Sequence, residues 1–342
     1  SKNQRMELVN ACLRANELRF IKRFSHYGKL AEMAGWFQDH PSGMLYIGDQ
    51  FIVDLLVWYH LAWMGETVRR NNTLVQQLMK KGTGFGLQER RQLLKLIGEL
   101  LSSVIDAYRT LAERGQIELS MSPYAHPIIP LLLDLDCARE AMPDITMPAR
   151  ASYPGGEERA RWHIEEGIST FEQFFNVRPT GCWPSEGGVS EATLRQLEDH
   201  GFSWAASGES VFRHSMAHPA NKDIADKGLY QGFRVGDGRL ACFFRDDGLS
   251  DLIGFTYSDW HADDAVNNLI QHLDNIADST RNQPAALVSI ILDGENAWEH
   301  FPENGYHFLN TLYKRLADHP GINMTTYSDY LQTARRQPSL KQ

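Results

Sequence analysis

Gly181-Cys182-Trp183-Pro184-Ser185-Glu186-Gly187-Gly188 and, after the apolar run 286–292, Asp293-Gly294-Glu295-Asn296-Ala297-Trp298-Glu299 are the most informative stretches of the chain. In each, a short β-like run gives way to a loop that carries an acid beside tryptophan and glycine. A carboxylate in that company builds a poor core, because an unpaired charge resists burial. It suits a site that grips and cleaves a sugar, where two carboxylates flank one glycosidic bond.

Around these stretches, the chain from residue 116 alternates β-like runs with helix-like ones. The runs 117–121, 180–183, 202–206, 240–244, 286–292 and 322–325 read as strands. Residues 157–175, 190–200, 262–277 and 305–318 read as helices. Alternation of this kind implies an α/β fold with a parallel sheet, open or closed into a barrel, whose chemistry sits at the carboxyl ends of the strands. Both acidic stretches fall at such ends, as do residues 122–126 and Arg245-Asp246-Asp247. Before residue 116 the pattern is helical: Leu93, Ile97, Leu100, Val104, Tyr108 and Leu111 recur at three- and four-residue steps. Two parts are therefore expected: a helical segment, 1–115, packing on the rest, and a strand/helix portion, 116–342, carrying the site. Residues 209–232 lack periodicity and read as an excursion or lid.

Composition narrows the function. With 342 residues, 42% apolar and 23% charged, the chain can bury a substantial core. A formal net charge of -9 argues against a nucleic-acid partner, since phosphate binding draws on clustered Lys and Arg. The apolar runs 51–61 and 286–292 are interrupted or too short for a membrane span, which needs roughly 20 apolar residues. Cys12, Cys137, Cys182 and Cys242 have no paired spacing, so neither a zinc knuckle nor a disulfide framework is expected, and a reducing, cytoplasmic location is. No secretory signal is visible, although the chain opens on Ser1 rather than Met, so one could have been removed. Phosphate loops, dinucleotide fingerprints and activated Ser or Cys nucleophiles are absent from the sequence, and no cofactor or metal is expected. His214 and His218 have the spacing of a helical metal pair but no third ligand.

Residue by residue, each functional reading has a bland counterpart. Glu186, before Gly187-Gly188, sits in a tight turn open to a ligand and suits a nucleophile; alternatively it stabilises the start of the helix 190–200. Asp293, shielded by strand residues and Trp298, would have its proton affinity raised as a general acid requires; alternatively it caps the next turn. Glu295 reads as holding a sugar hydroxyl or orienting Asp293, and Glu299 as supporting or solvated. Trp183, Trp298 and Trp260 offer flat faces for sugar C–H groups or simply pack, whereas Trp58 and Trp63 read as helix core. His126, near Tyr124 in a proline-bounded turn, donates to a sugar hydroxyl or is structural. Asp246 and Asp247 line the same cleft or pair with Arg245.

The ordered stretches Gly115-Gln116-Ile117-Glu118-Leu119-Ser120-Met121-Ser122-Pro123-Tyr124-Ala125-His126-Pro127-Ile128, Trp183-Pro184-Ser185-Glu186 and Asp293-Gly294-Glu295-Asn296-Ala297-Trp298-Glu299 resemble glycoside hydrolase family 57, above all its amylopullulanase-like and α-amylase-like members. The resemblance implies an incomplete (β/α)7 barrel, α-glucan substrates and a mechanism that retains anomeric configuration. It implies Glu186 as nucleophile and Asp293 as general acid and base. Family members usually carry a His-Gln-Pro motif on the first barrel strand, which this sequence lacks. Six strand candidates, not seven, lead to the expectation of a barrel without its first strand. The resemblance thus supports a retaining glycosidase or glucanotransferase, with a carbohydrate-binding or inactive fragment as the alternative. A metal-dependent deacetylase would need an Asp and two His converging at strand ends, and the sequence offers no such set.

Overall fold

Five strands form one sheet in the computed structural model, in which residues 2–150, 152–224, 228–283, 285–294, 298–334 and 337–340 are described. They are β1 (Gly181–Cys182), β2 (Trp204–Ser207), β3 (Phe233–Val235), β4 (Ala241–Phe244) and β5 (Ser339–Leu340), ordered β1-β2-β4-β3-β5. β1, β2 and β4 are parallel, β3 is antiparallel to β4, and β5 is parallel to β3. Met121 extends the parallel part by a bridge to Cys182. The fold is α/β with a parallel-rich sheet, as the alternation of elements predicts. Every residue of β2 and β4 is buried, the condition of central parallel strands covered on both faces. Gly181 faces Trp204 across the register, and a Cβ there would come 1.9 Å from the indole, so only glycine lets the ring lie against β1.

By Cα proximity the chain divides into two units. The first comprises Ser1–Ser103, Ile253–Asn267 and Asp293–Arg315; the second comprises Val104–Leu252, Asn268–Leu292 and Leu316–Gln342. In the second, the helices Gly156–Phe175 and Glu191–Asp199 turn Ile164, Ile168, Phe171, Leu194 and Leu197 against Met121, Cys182 and Ala205 of the sheet. Each fully buried Leu, Ile or Phe of this layer contributes about 1.5–3 kcal/mol. Local chemistry sets the helix ends. Ser190 caps one start by accepting the Thr193 N–H at 3.2 Å, and Asn176, left-handed at φ 58, ends the other. Beneath β1, Glu118 accepts from Thr180 Oγ1 (2.9 Å), Trp204 Nε1 (2.8 Å) and both the hydroxyl and the N–H of Ser328. Burial alone would raise its pKa, but these four donors outweigh it and hold the carboxyl below its ordinary value.

The first unit is helical in its leading part: Lys2–Cys12, Ser25–Asp39, Asp49–Trp63, Glu66–Asn71 and Thr73–Lys81 surround Tyr27, Leu55, Leu61, Val75 and Phe85. Trp58 lies in this core and donates to the Gly82 carbonyl at 2.6 Å, whereas Trp63, at the end of its helix, is exposed rather than core. Buried Glu66 accepts from Arg23 and Arg69 at 2.9 Å and from Arg70 at 2.8 Å. Desolvation pushes its pKa up, and the Arg23 and Arg69 contacts prevail and lower it. No helix among the described residues is long and apolar enough to cross a membrane.

Some expected elements differ. Of residues 117–121, only Met121 makes a bridge. Residues 286–292 form no regular strand: the Asp246 N–H reaches Ser289 O at 2.8 Å, but Ile291 N–H donates to the Ser250 hydroxyl, so a side chain interrupts the ladder. Residues 322–325 are likewise not a strand and lead to the helix Tyr327–Thr333. Residues 209–232 are not simply a lid. Within them, the helix Glu209–Ala217 packs Phe212 against Phe233 and Phe244, centroids 5.2 Å away in each case.

Candidate active site

The turn after β1 presents Glu186. Strand pairing continues one residue past β1, where Trp183 N–H donates to Met121 O at 2.9 Å. Pro184 then starts a tight reversal closed by Gly187 N–H to Pro184 O (2.8 Å) and Gly188 N–H to Ser185 O (3.0 Å). Inside it Glu186 is left-handed (φ 56, ψ 19), and Gly187 follows at φ 67. A non-glycine residue there is strained by roughly 1–3 kcal/mol, so the surroundings must hold it. They do: Ser207 Oγ donates to Gly187 O at 2.6 Å, and the Trp183 ring packs underneath, with Trp204, Ala206, Phe243 and Tyr330 beyond it. The backbone is pinned and the side chain stands out, 76% exposed.

The neighbouring loop brings His126 to it. Its Nε2 donates to Glu186 Oε1 at 3.0 Å. Ala125 and His126 are both left-handed, at φ 57, so three strained non-glycine residues meet at this spot. The loop is anchored from Tyr124, whose N–H donates to His163 O at 2.9 Å and whose carbonyl accepts from His163 Nδ1 at 2.7 Å. The helix carrying His163 comes this close because residue 167 is glycine; a Cβ there would meet Met121 Cε at 2.6 Å and Tyr124 N at 3.1 Å.

The acids after β4 are occupied differently. Asp246 is buried, accepts the Leu249 N–H at 2.8 Å as a helix cap and receives the Tyr230 hydroxyl at 3.1 Å. Burial first, and the Asp246 charge second, push the Tyr230 phenol up. Asp247 is paired with Arg245 at 2.5 Å, and Arg245 also reaches Asp251 and the Ile291 carbonyl. The geometry supports the salt-bridge reading of Asp247, which stays 40% exposed.

Asp293, Trp260 and Trp298 belong to the first unit. Asp293 is exposed, not shielded as the apolar run before it suggests. Trp298 is half-buried and packs with Phe301 and Phe308 (5.3 and 6.2 Å), over Gly305. Trp260 is 42% exposed and meets Tyr257 edge-on. Glu295 lies outside the described residues. His214 lies in the last turn of the helix Glu209–Ala217, and His218, just past its end, accepts the Ala220 N–H on Nδ1. No group of three metal-ligating side chains occurs among the described residues. Trp162 and His163, beside Tyr124, escaped the reading of the sequence because in a periodic helix they look like ordinary surface residues.

The model of glycosyl hydrolase family 57 matches residues 10–340. In fold, the chain is similar to a 4-alpha-glucanotransferase from Thermococcus litoralis (TM-score 0.51, 19% identity, 73% of this chain and 34% of that one). It is also similar to an alpha-amylase from Thermotoga maritima (TM-score 0.54, 13% identity, 84% of this chain and 63% of that one) and a GH57-type branching enzyme from Pyrococcus horikoshii (0.55, 14%, 83% and 56%). The chain thus spans less than two thirds of each of these proteins. No curated protein matches it.

Proposed function

We propose that this chain, which belongs to glycosyl hydrolase family 57, acts on α-glucans as a retaining glycosidase or glucanotransferase. Glu186 is the nucleophile: its carboxylate attacks the anomeric carbon and forms a glycosyl-enzyme ester as the leaving oxygen is protonated. Asp293 is the acid that donates this proton, and afterwards the base that activates water or a sugar hydroxyl. In a retaining pair the two carboxyl groups stand about 5–5.5 Å apart at the working site. The parallel strands belong to a (β/α)7-type barrel, and Tyr124, His126, Trp183, Asp247, Glu295, Trp260 and Trp298 are the substrate-binding candidates. Unpaired thiols fit a reducing, cytoplasmic location.

The observation that carries this reading is Glu186 itself: an exposed carboxylate on a pinned, strained turn at a strand end, hydrogen-bonded by His126. Incubation of the wild type and Glu186→Gln with maltooligosaccharides and pullulan tests it. Product from the wild type alone supports turnover; oligosaccharide binding by both proteins without product leaves a binding module in its place.

A further inference from the structure

We infer that Tyr124 and Trp162 form an outlying glucosyl subsite that extends the Glu186 site along the helix Gly156–Phe175. The inference rests on the α-glucan reading above. Starting from the carboxylate, His126 is in direct contact at 3.0 Å, and Tyr124 lies two residues away, within about 7 Å of chain. The Tyr124 ring meets Trp162 edge-on, centroids 5.7 Å apart at 85°. Both rings face solvent, Tyr124 at 41% and Trp162 at 49%. One helical turn earlier than Trp162, Arg159 sits 5.6 Å over the ring of Tyr153, itself 45% exposed.

Exposure alone does not make a subsite; fixed geometry and continuity do. The two His163 hydrogen bonds hold the backbone of Tyr124, and Gly167 lets the helix close on it. Pre-set aromatic planes bind with little ordering cost, and flat C–H faces of hexose rings are the surface they cover. A glucan bound at Glu186 reaches Trp162 only by extending past His126 and Tyr124. The subsite therefore selects for longer α-glucans and adds nothing for the shortest ones.

Binding of maltotriose and maltoheptaose to Glu186→Gln, with and without Trp162→Ala or Trp162→Phe, tests this by calorimetry. The expected result is about tenfold weaker maltoheptaose binding with Trp162→Ala, equal to ~1.4 kcal/mol, a smaller change for maltotriose, and recovery with Trp162→Phe, which keeps a flat ring. Unchanged maltoheptaose affinity in Trp162→Ala, or equal losses in Ala and Phe, overturns the subsite while leaving the reaction intact. No maltooligosaccharide binding by Glu186→Gln, together with no product from the wild type, overturns the α-glucan reading and this subsite with it.

Discussion

His126 Nε2 stands 3.0 Å from Glu186 Oε1, and both residues hold left-handed backbone, at φ 57 and 56. Two independent loops, one after Met121 and one after β1, have each accepted strain to bring these side chains together. The contact is exposed on both sides, so it adds only about 0–1 kcal/mol to folding. If Glu186 is the nucleophile proposed above, the contact acts by aiming its carboxylate.

His126→Ala should therefore leave the unfolding midpoint nearly unchanged while lowering kcat/KM on maltooligosaccharides roughly tenfold, since a hydrogen bond to a charged group is worth about 1.5–3 kcal/mol when it matters to a reaction. Initial rates decide the point. An unchanged kcat/KM would remove His126 from the site.

Strain at residue 186 gives a test of its own. Glu186→Gly should be as stable as the wild type or better by up to about 1 kcal/mol, because glycine has no penalty at positive φ. Glu186→Val should be less stable by about 1 kcal/mol or more. Urea unfolding of both variants reads this directly, and equal midpoints would argue against a left-handed glutamate.

Glu118 sets an acid limit on the fold. Its folded pKa is lowered, so its contribution is complete above the unfolded value of about 4.3 and is lost as pH falls through the folded value. At pH 7, Glu118→Gln should cost about 1.5–3 kcal/mol. The gap between variant and wild type should narrow as the pH drops below about 4. Melting curves at several pH values measure it; a constant gap contradicts the assignment.

Gly181→Ala should prevent the native sheet from forming, since the new methyl would overlap the Trp204 ring at 1.9 Å. Gly167→Ala is the subtler change. Met121 can yield, but the Tyr124 backbone cannot move without carrying His126, so activity should fall by a larger factor than stability predicts. Parallel measurement of kcat/KM and urea midpoint separates the two effects.

How much of this was legible in the sequence depends on which force wrote it. β1, β2 and β4 and the helices around residues 157–175 and 190–200 were readable because continuous apolar runs and helical spacing record burial directly. Residues 286–292 have an equally apolar pattern, yet the Ser250 hydroxyl takes a place that a ladder partner would fill, and no local pattern encodes that. β3 and β5, three and two residues long, are strands only through pairing with distant segments, β3 with β4 and β5 with β3. Of the site, the turn at Glu186 was visible in Trp-Pro-Ser-Glu-Gly-Gly, and the pairing with His126 was not, because contact across 60 residues leaves no spacing to read. Asp293 was expected to be sheltered; an apolar run ends before it without covering it.

Cys182, Ala205 and Cys242 occupy one row across β1, β2 and β4. Both thiols are buried, and desolvation lifts their pKa values, that of Cys242 to about 12, so neither supplies thiolate while the strands stay paired. Cys137 is only half-buried and will be alkylated first. The later labelling of the sheet pair is consequently a native clock: its rate reports how often the central strands part, with no probe introduced and no residue of the reaction touched.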